Sequence, residues 1–279
     1  MIKIVADTLS SMTMAEAKEL GVDFFPQIII FGNESYRDDY EISTEEFLKK
    51  LRASTTLPKT AAPAPALYEP IYSEYSKQGD TVIVLCPSKE VSGTFRSASV
   101  AAKEFPNADI RVIDTMTIGR PLGSLVKLAV KWVEEGLDAD TIVKKIEEKS
   151  KLVRIYFYVE TLEYLHKGGR IGGASKLVGG LLQVKPILRF IDGTIQPFET
   201  PRTKRRALDR IADIVKHECP QNDHAYLTIM ESDAIATATE LSEELKAHFG
   251  LKDIKIYTLP PAIVVHTGPG VVAAGFFLE

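Results

Sequence analysis

Short apolar runs alternate with amphipathic stretches through the first half of the chain. Ile2–Ala6 is a β-branched run ending in Asp7-Thr8, and Ser10 and Ser11 stand where they cap a helix over Met14–Leu20. A second strand is predicted over Phe24–Phe31. Ser43 and Glu46 form a capping-box pattern ahead of Phe47 and Leu51, which starts another helix. Thr55–Pro65, rich in Thr, Pro and Ala, reads as a loop. A helix around Leu67–Ser76 and a buried strand over Thr81–Cys86 follow. Ser92-Gly93-Thr94 opens a helix to about Glu104, and Asp109–Asp114 is the next strand. Ile118–Val133 is apolar around most of its circumference, with Lys127, Lys131 and Glu134 marking a narrow wet face. It is predicted to be a helix buried between layers.

Strands alternating with helices imply a parallel sheet covered on both faces, with its binding crevice at the carboxyl ends of the strands. Asp7, Pro87–Thr94 and Asp114 fall there. Beyond Leu152 the pattern changes to a strand over Val153–Val159, a helix to Leu165, a Gly-rich turn, and two strands joined at Asp192-Gly193, a hairpin signal. Helices at Arg205–His217 and Ala234–Phe249 then alternate with strands near Ala225–Met230, Asp253–Tyr257 and Ala262–His266. The expected class is α/β. It comprises an N-terminal three-layer domain with a parallel sheet (residues 1–152) and a C-terminal α/β domain with a mixed sheet (residues 153–279). A length of 279 residues fits two cores, since single domains run to roughly 100 to 200 residues.

Composition narrows the function. Apolar residues make up 45% and charged residues 26%, the make-up of an ordinary globular chain. A net charge of -4 argues against a general nucleic-acid or anionic-membrane binder, because affinity for phosphate backbones needs a basic field. The two cysteines, Cys86 and Cys219, have neither metal nor disulfide spacing, which points to a reducing, cytoplasmic setting. The N-terminus lacks the pattern of a signal peptide, and no apolar run is long enough to span a bilayer. No membrane insertion is expected.

Candidate chemistry is concentrated in a few polar segments. Lys59-Thr60 lies in the Pro/Ala-rich loop, and Ser92-Gly93-Thr94 lies at a helix start. Helix-start hydroxyls are ordinarily caps, yet paired hydroxyls beside free helix amides also make a site for a carboxylate or phosphate. His266 precedes Thr267-Gly268-Pro269-Gly270 at an expected strand end, where it can be structural or functional. His166-Lys167-Gly168-Gly169-Arg170 reads as a solvated helix end or, through Arg170, a docking surface. It lacks the Gly-Lys-Ser/Thr ending of a phosphate-binding loop. Arg202, Lys204, Arg205, Arg206 and Arg210 form the one dense basic cluster, with Arg202 best placed to point inward. A DNA-binding regulator is the reading this cluster alone suggests, and the acidic balance of the chain opposes it. No metal site, cofactor or self-contained catalytic set is expected. An enzyme acting on a small carboxylate or phosphorylated metabolite remains the rival to a binding protein.

Six segments, in order, carry a resemblance over the whole chain. They are VADT near the N-terminus, Pro58-Lys59-Thr60, Ser92-Gly93-Thr94, Val112-Ile113-Asp114-Thr115, Lys167-Gly168-Gly169-Arg170, and His266-Thr267-Gly268-Pro269-Gly270. Together they resemble the bacterial DegV family, and within it the fatty-acid-binding FakB-like proteins. The resemblance implies one long-chain fatty acid in a tunnel between two domains, with its carboxylate on Thr60, Ser92 and His266 and with Arg202 nearby. It also implies a separate ATP-dependent kinase subunit, docked around Arg170, that makes an acyl phosphate for phospholipid metabolism. The family loop usually continues Thr-Ser-Gln-Pro, whereas this chain has Thr60-Ala61-Ala62-Pro63, two polar side chains fewer. The helix Ile118–Val133, with small residues on one face, is expected to form a tunnel wall, unless it simply packs in the core.

Overall fold

The apolar runs at Ile2–Asp7 and Thr81–Cys86 are buried almost throughout, as strands covered on both faces must be. The computed structural model describes residues 1–178 and 185–279. In chain order its first half contains β1 (Ile2–Asp7), α1 (Met14–Glu19), β2 (Asp23–Phe25), β3 (Ile28–Phe31), β4 (Glu34–Arg37), α2 (Thr44–Ala53), β5 (Lys59–Ala61), α3 (Glu69–Gln78), β6 (Thr81–Cys86), α4 (Thr94–Ala102), β7 (Ile110–Asp114), α5 (Arg120–Glu134) and α6 (Ala139–Ser150). The second half contains β8 (Val153–Tyr158), α7 (Glu163–Lys167), β9 (Ile187–Ile191), β10 (Thr194–Glu199), α8 (Lys204–Glu218), β11 (Thr228–Ser232), α9 (Ile235–Phe249), β12 (Ile256–Thr258), α10 (Pro261–Thr267) and β13 (Val271–Phe277).

The first sheet has the order β2-β1-β6-β7, parallel throughout. The second has the order β10-β9-β8-β13-β11-β12 and is mixed, with β12 parallel to β11 and the other pairs antiparallel. A small antiparallel sheet, β4-β3-β5, joins the first half. The fold is therefore α/β, with a parallel sheet in the N-terminal part and a mixed sheet in the C-terminal part.

Side-chain alternation sorts each strand into two cores. On β6, Val82, Val84 and Cys86 face Tyr68, Tyr72 and Ala98, while Ile83 and Leu85 share a core with Leu122 and Leu125 of α5. On β13, Val272, Ala274 and Phe276 face α8 and α9, while Val271 and Ala273 turn toward that same α5 core. α5 thus lies between the two sheets. Its Pro121 sits so close to Gly275 that a Cβ there would come within 2.7 Å of the proline ring.

Arg120, at the start of α5, is 2% exposed and pairs with both carboxylate oxygens of Glu16 at 2.9 Å. Its guanidinium lies 3.9 Å from the ring centroid of Tyr257 on the second sheet. Burial pushes the Glu16 carboxyl up, but Arg120 and Lys127 outweigh that effect and hold it at about 2.

Four local expectations differ from the structure. The strand expected over Phe24–Phe31 breaks at Pro26-Gln27, since Pro26 has no N–H for a ladder and the Gln27 N–H donates instead to Thr8 Oγ1. Lys59–Ala61 forms a strand inside the expected loop because β3 offers it an edge, with Thr60 paired to Ile29. His266 lies on a helix, not at a strand end. Pro260 and Pro261 set the first-turn backbone, and Asp38 accepts the Ala262 N–H, which together override the β-branched run Ile263-Val264-Val265. Val271–Phe277, whose Ala-Ala-Gly centre is a poor strand signal, forms the strand between β8 and β11.

Candidate functional site

Between the two sheets lies a cavity lined by residues from both halves of the chain. Its floor is the inner face of the mixed sheet: Ile155 and Phe157 on β8, Phe190 on β9, Ile195 on β10, Met230 on β11, and Val271 and Ala273 on β13. Leu9, Ile118, Leu259 and Ile263 close it from the other side. The floor is buried and apolar, so a ligand that matches it is a hydrocarbon.

The mouth has the opposite character. Thr60, Ser92, Arg170 and His266 are half-buried and Gly93 is exposed, so the polar groups of the cavity collect where it meets solvent. Thr60 Oγ1 and His266 Nε2 are 2.9 Å apart. His266 Nδ1 is buried without a hydrogen-bond partner among the described residues, against Gly168. Burial and the Arg170 charge push the histidine down to about 4, so the ring is neutral near pH 7. One ring nitrogen then carries a proton and the other accepts.

The close approach explains one glycine in each of two motifs. A Cβ on Gly168 would lie 2.4 Å from His266 Nδ1, and one on Gly268 (φ +74°) would lie 2.4 Å from the Tyr164 ring. The segments Lys167–Arg170 and His266–Gly270 are packed against each other.

Behind Ser92 runs a buried polar chain. Ser92 Oγ is 3.0 Å from Thr94 Oγ1, and the Thr94 hydroxyl donates to Asp7 Oδ2 at 2.7 Å. Gln27 Nε2 donates to that same oxygen at 2.6 Å and to Thr94 Oγ1 at 2.9 Å. The Leu9 N–H donates to the other Asp7 oxygen. Burial raises the Asp7 carboxyl to about 7, although Thr94, Gln27 and Leu9 oppose the rise. Asp38, under the start of α10, is raised to about 7 by its own burial.

The structure brings Thr60, Ser92, Gly93, Arg170 and His266 together at the mouth. Thr94 lies one hydroxyl deeper, supporting Ser92. Arg170 does not stand free on the surface. Its guanidinium donates to the carbonyls of Val91 and Gly168, which ties α7 to the turn before α4. Arg202 is not among the described residues that line the cavity. It is exposed just ahead of the Thr203 cap of α8 and has no hydrogen bond or ion pair among the described residues. Lys204 turns to Glu160 and Arg210 to Glu199. The body of α5 packs in the core, and only Ile118 and Gly119, before its first turn, reach the cavity. Asp7 falls at the crevice that the strand pattern predicts, whereas Gln27 is the site residue the pattern did not single out, and a glutamine inside the apolar run Phe24–Phe31 was its available signal. Ala62, where the resembled family carries glutamine, lines the mouth, and a Cβ on Gly93 would lie 3.3 Å from its methyl group. Among the described residues no cluster of His, Cys, Asp and Glu suits a metal ion, and no helix is long and apolar enough to cross a membrane.

The family model described as "Uncharacterised protein, DegV family" matches residues 1–279. A DegV domain-containing protein of Halalkalibacterium halodurans is 33% identical over 279 residues, which cover 100% of this chain and 99% of that one. A fatty-acid-binding DegV family protein from Streptococcus agalactiae has a solved structure similar to this one at TM-score 0.91 and 30% identity, covering 100% of this chain and 99% of its own. A DegV family protein from Thermus thermophilus, whose structure is described by its fatty acid binding, matches at TM-score 0.90 and 28% identity over 100% and 99% of the two chains.

Proposed function

The chain belongs to the DegV family, and we propose that it binds one long-chain fatty acid between an N-terminal unit (residues 1–152) and a C-terminal unit (residues 153–279) and presents the carboxylate to a separate kinase. The observation that carries this reading is the division of one cavity into a buried apolar floor and a half-buried mouth of hydroxyls. A carboxylate accepts hydrogen bonds and donates none, and leaving it unsatisfied on removal from water is costly. Neutral His266 can donate through Nε2 to Thr60 Oγ1, which frees the Thr60 proton for the ligand. Ser92 and the amides of the first turn of α4 add donors. Each buried methylene contributes about 0.8 kcal/mol, so a tail of about 16 carbons offers about 12 kcal/mol before the costs of association.

The mouth position supports presentation. The carboxylate would sit at the surface while the tail is withdrawn, so a second protein can reach one end without displacing the other. Acyl-phosphate formation needs nucleotide phosphates held in line with the acceptor oxygen, and the sequence contains no phosphate-binding loop to hold them. The partner that the family resemblance implies is an ATP-dependent fatty-acid kinase docking beside Arg170, with the chain itself acting as the lipid-binding subunit. Titrating delipidated protein with a long-chain and a short-chain acid tests the binding. Tight binding confined to the long acid supports the reading, and equal binding of both points to a small-carboxylate site. Adding the kinase and ATP and following acyl-phosphate formation tests the presentation.

A further inference from the structure

The floor of the cavity ends on one aromatic ring. Phe157 and Ile155 alternate along one face of β8, and both line the cavity. Val153, next on that face, lines instead a second, surface groove with Met116, Ile191, Lys151 and Arg154. Phe190 lines both. Strand register places it there. Phe190 is paired with Ile155 on β8 and with Ile195 on β10, the last cavity residue of each neighbouring strand. It is 4% exposed and borders both.

The polar mouth lies in the other direction. Tyr158, at the carboxyl end of β8, donates to Glu160, and the Glu160 side chain abuts Gly270, beyond the helix that carries His266. Running from Tyr158 to Val153, β8 therefore leads from the mouth, past Phe157 and Ile155, to the groove.

Given the fatty-acid reading above, we propose that Phe190 is the distal stop that sets acyl-chain length, and that the groove beyond it is a subsite for the methyl end of chains too long for the cavity. One side of the groove is apolar: Val153 and Ile191 line it, and Met116, 43% exposed, adds a flexible side chain. Asp114, Glu147, Lys151, Arg154 and Asp192 also line the groove, so an aliphatic end is held only along Val153, Ile191 and Met116. A chain that outgrows the cavity must displace the ring to reach the groove, which costs packing in a core close-packed around it.

Affinity should rise about four-fold with each methylene buried and stop rising where the chain meets the ring. The test is displacement of a bound fluorescent acid from delipidated protein by saturated acids of about 12 to about 22 carbons, an interval over which that increment is measurable. Wild type should show a break in the series. Phe190→Ala should move the break to longer acids by several carbons. Phe190→Leu should move it less and replaces the alanine variant if that one fails to fold. Phe190→Trp should move it to shorter acids. A break at the same length in wild type and in folded Phe190→Ala or Phe190→Leu overturns the stop. A wild type that displaces with no acid of the series overturns the fatty-acid reading instead.

Discussion

Thr60 Oγ1 lies 2.9 Å from His266 Nε2, a contact across 206 residues that joins a three-residue strand to the end of a seven-residue helix. Each partner sets the other's proton. Because burial and Arg170 keep His266 neutral, the pair can point one hydroxyl hydrogen into the cavity mouth without burying a second positive charge.

Removing that hydrogen should weaken binding without unfolding the chain. Thr60→Val and Ser92→Ala should each lower affinity for a long-chain acid by about 10- to 100-fold, the equivalent of one hydrogen bond to a charged group. Thermal midpoints should move little, since both side chains are half-buried at the mouth. Calorimetric titration of delipidated variants measures the first effect and a thermal melt the second.

Gly168→Ala should act on the same pair from behind. The new methyl would lie 2.4 Å from His266 Nδ1 and 2.8 Å from the Tyr164 carbonyl, and overpacking of this kind costs about 1 to 3 kcal/mol. Gly168 has no unusual backbone angle, so the effect is steric. Gly173→Ala, whose nearest contact would be 3.5 Å, is the matched control and should be close to neutral in urea unfolding.

The hydroxyl chain behind Ser92 gives binding a pH dependence. With Asp7 protonated, it can donate to Thr94, Thr94 to Ser92, and Ser92 to the ligand. With Asp7 ionised, Thr94 donates inward and accepts from Ser92, so Ser92 has no proton left for a carboxylate. Affinity should therefore fall about ten-fold as pH rises through about 7, the loss of one charge-assisted hydrogen bond. Asp7→Asn should flatten the profile, and comparing the two proteins cancels the titration of the free acid.

Stability carries the same sign for the two aspartates and the opposite sign for His266. Asp7 and Asp38 are raised from 3.8 to about 7, so their contribution is complete below about pH 4 and lost as pH rises to about 7. His266 is lowered from 6.5 to about 4, so its contribution is complete above about pH 6.5 and lost as pH falls to about 4. Urea midpoints of Asp38→Asn and wild type should diverge toward neutral pH, with the variant gaining.

Glu16→Ala should be the costliest of these changes. It leaves the buried Arg120 guanidinium without its counter-charge between the two sheets, a loss of about 3 to 5 kcal/mol. A denaturant midpoint within experimental error of wild type would show that the pair does not hold the sheets together.

Much of the fold was legible in the sequence because it rests on local signals. Continuous apolar runs marked β1 and β6, and Asp192-Gly193 marked the hairpin, where both residues take positive φ. The failures lie where distant contacts override local preference. Ile263-Val264-Val265 reads as strand until Asp38 and two prolines start a helix, and Ala273-Ala274-Gly275 reads as nothing until β8 and β11 flank it. At the site, single residues were legible and their arrangement was not. Thr60 and Ser92 stood out as hydroxyls in loops, but Asp7 and Gln27 meet Thr94 only after folding brings positions 7, 27 and 94 together. Arg202 looked inward on the strength of its neighbouring proline, whereas the Thr203 cap leaves it facing solvent.

Occupancy of the cavity by a fatty acid, as proposed, is read out by denaturing the purified protein, extracting with organic solvent and identifying the released acids by mass spectrometry. A long-chain fatty acid should be recovered in near-stoichiometric amount, reduced in Ser92→Ala. A clean extract from fully folded protein that also fails to take up added long-chain acid would contradict it.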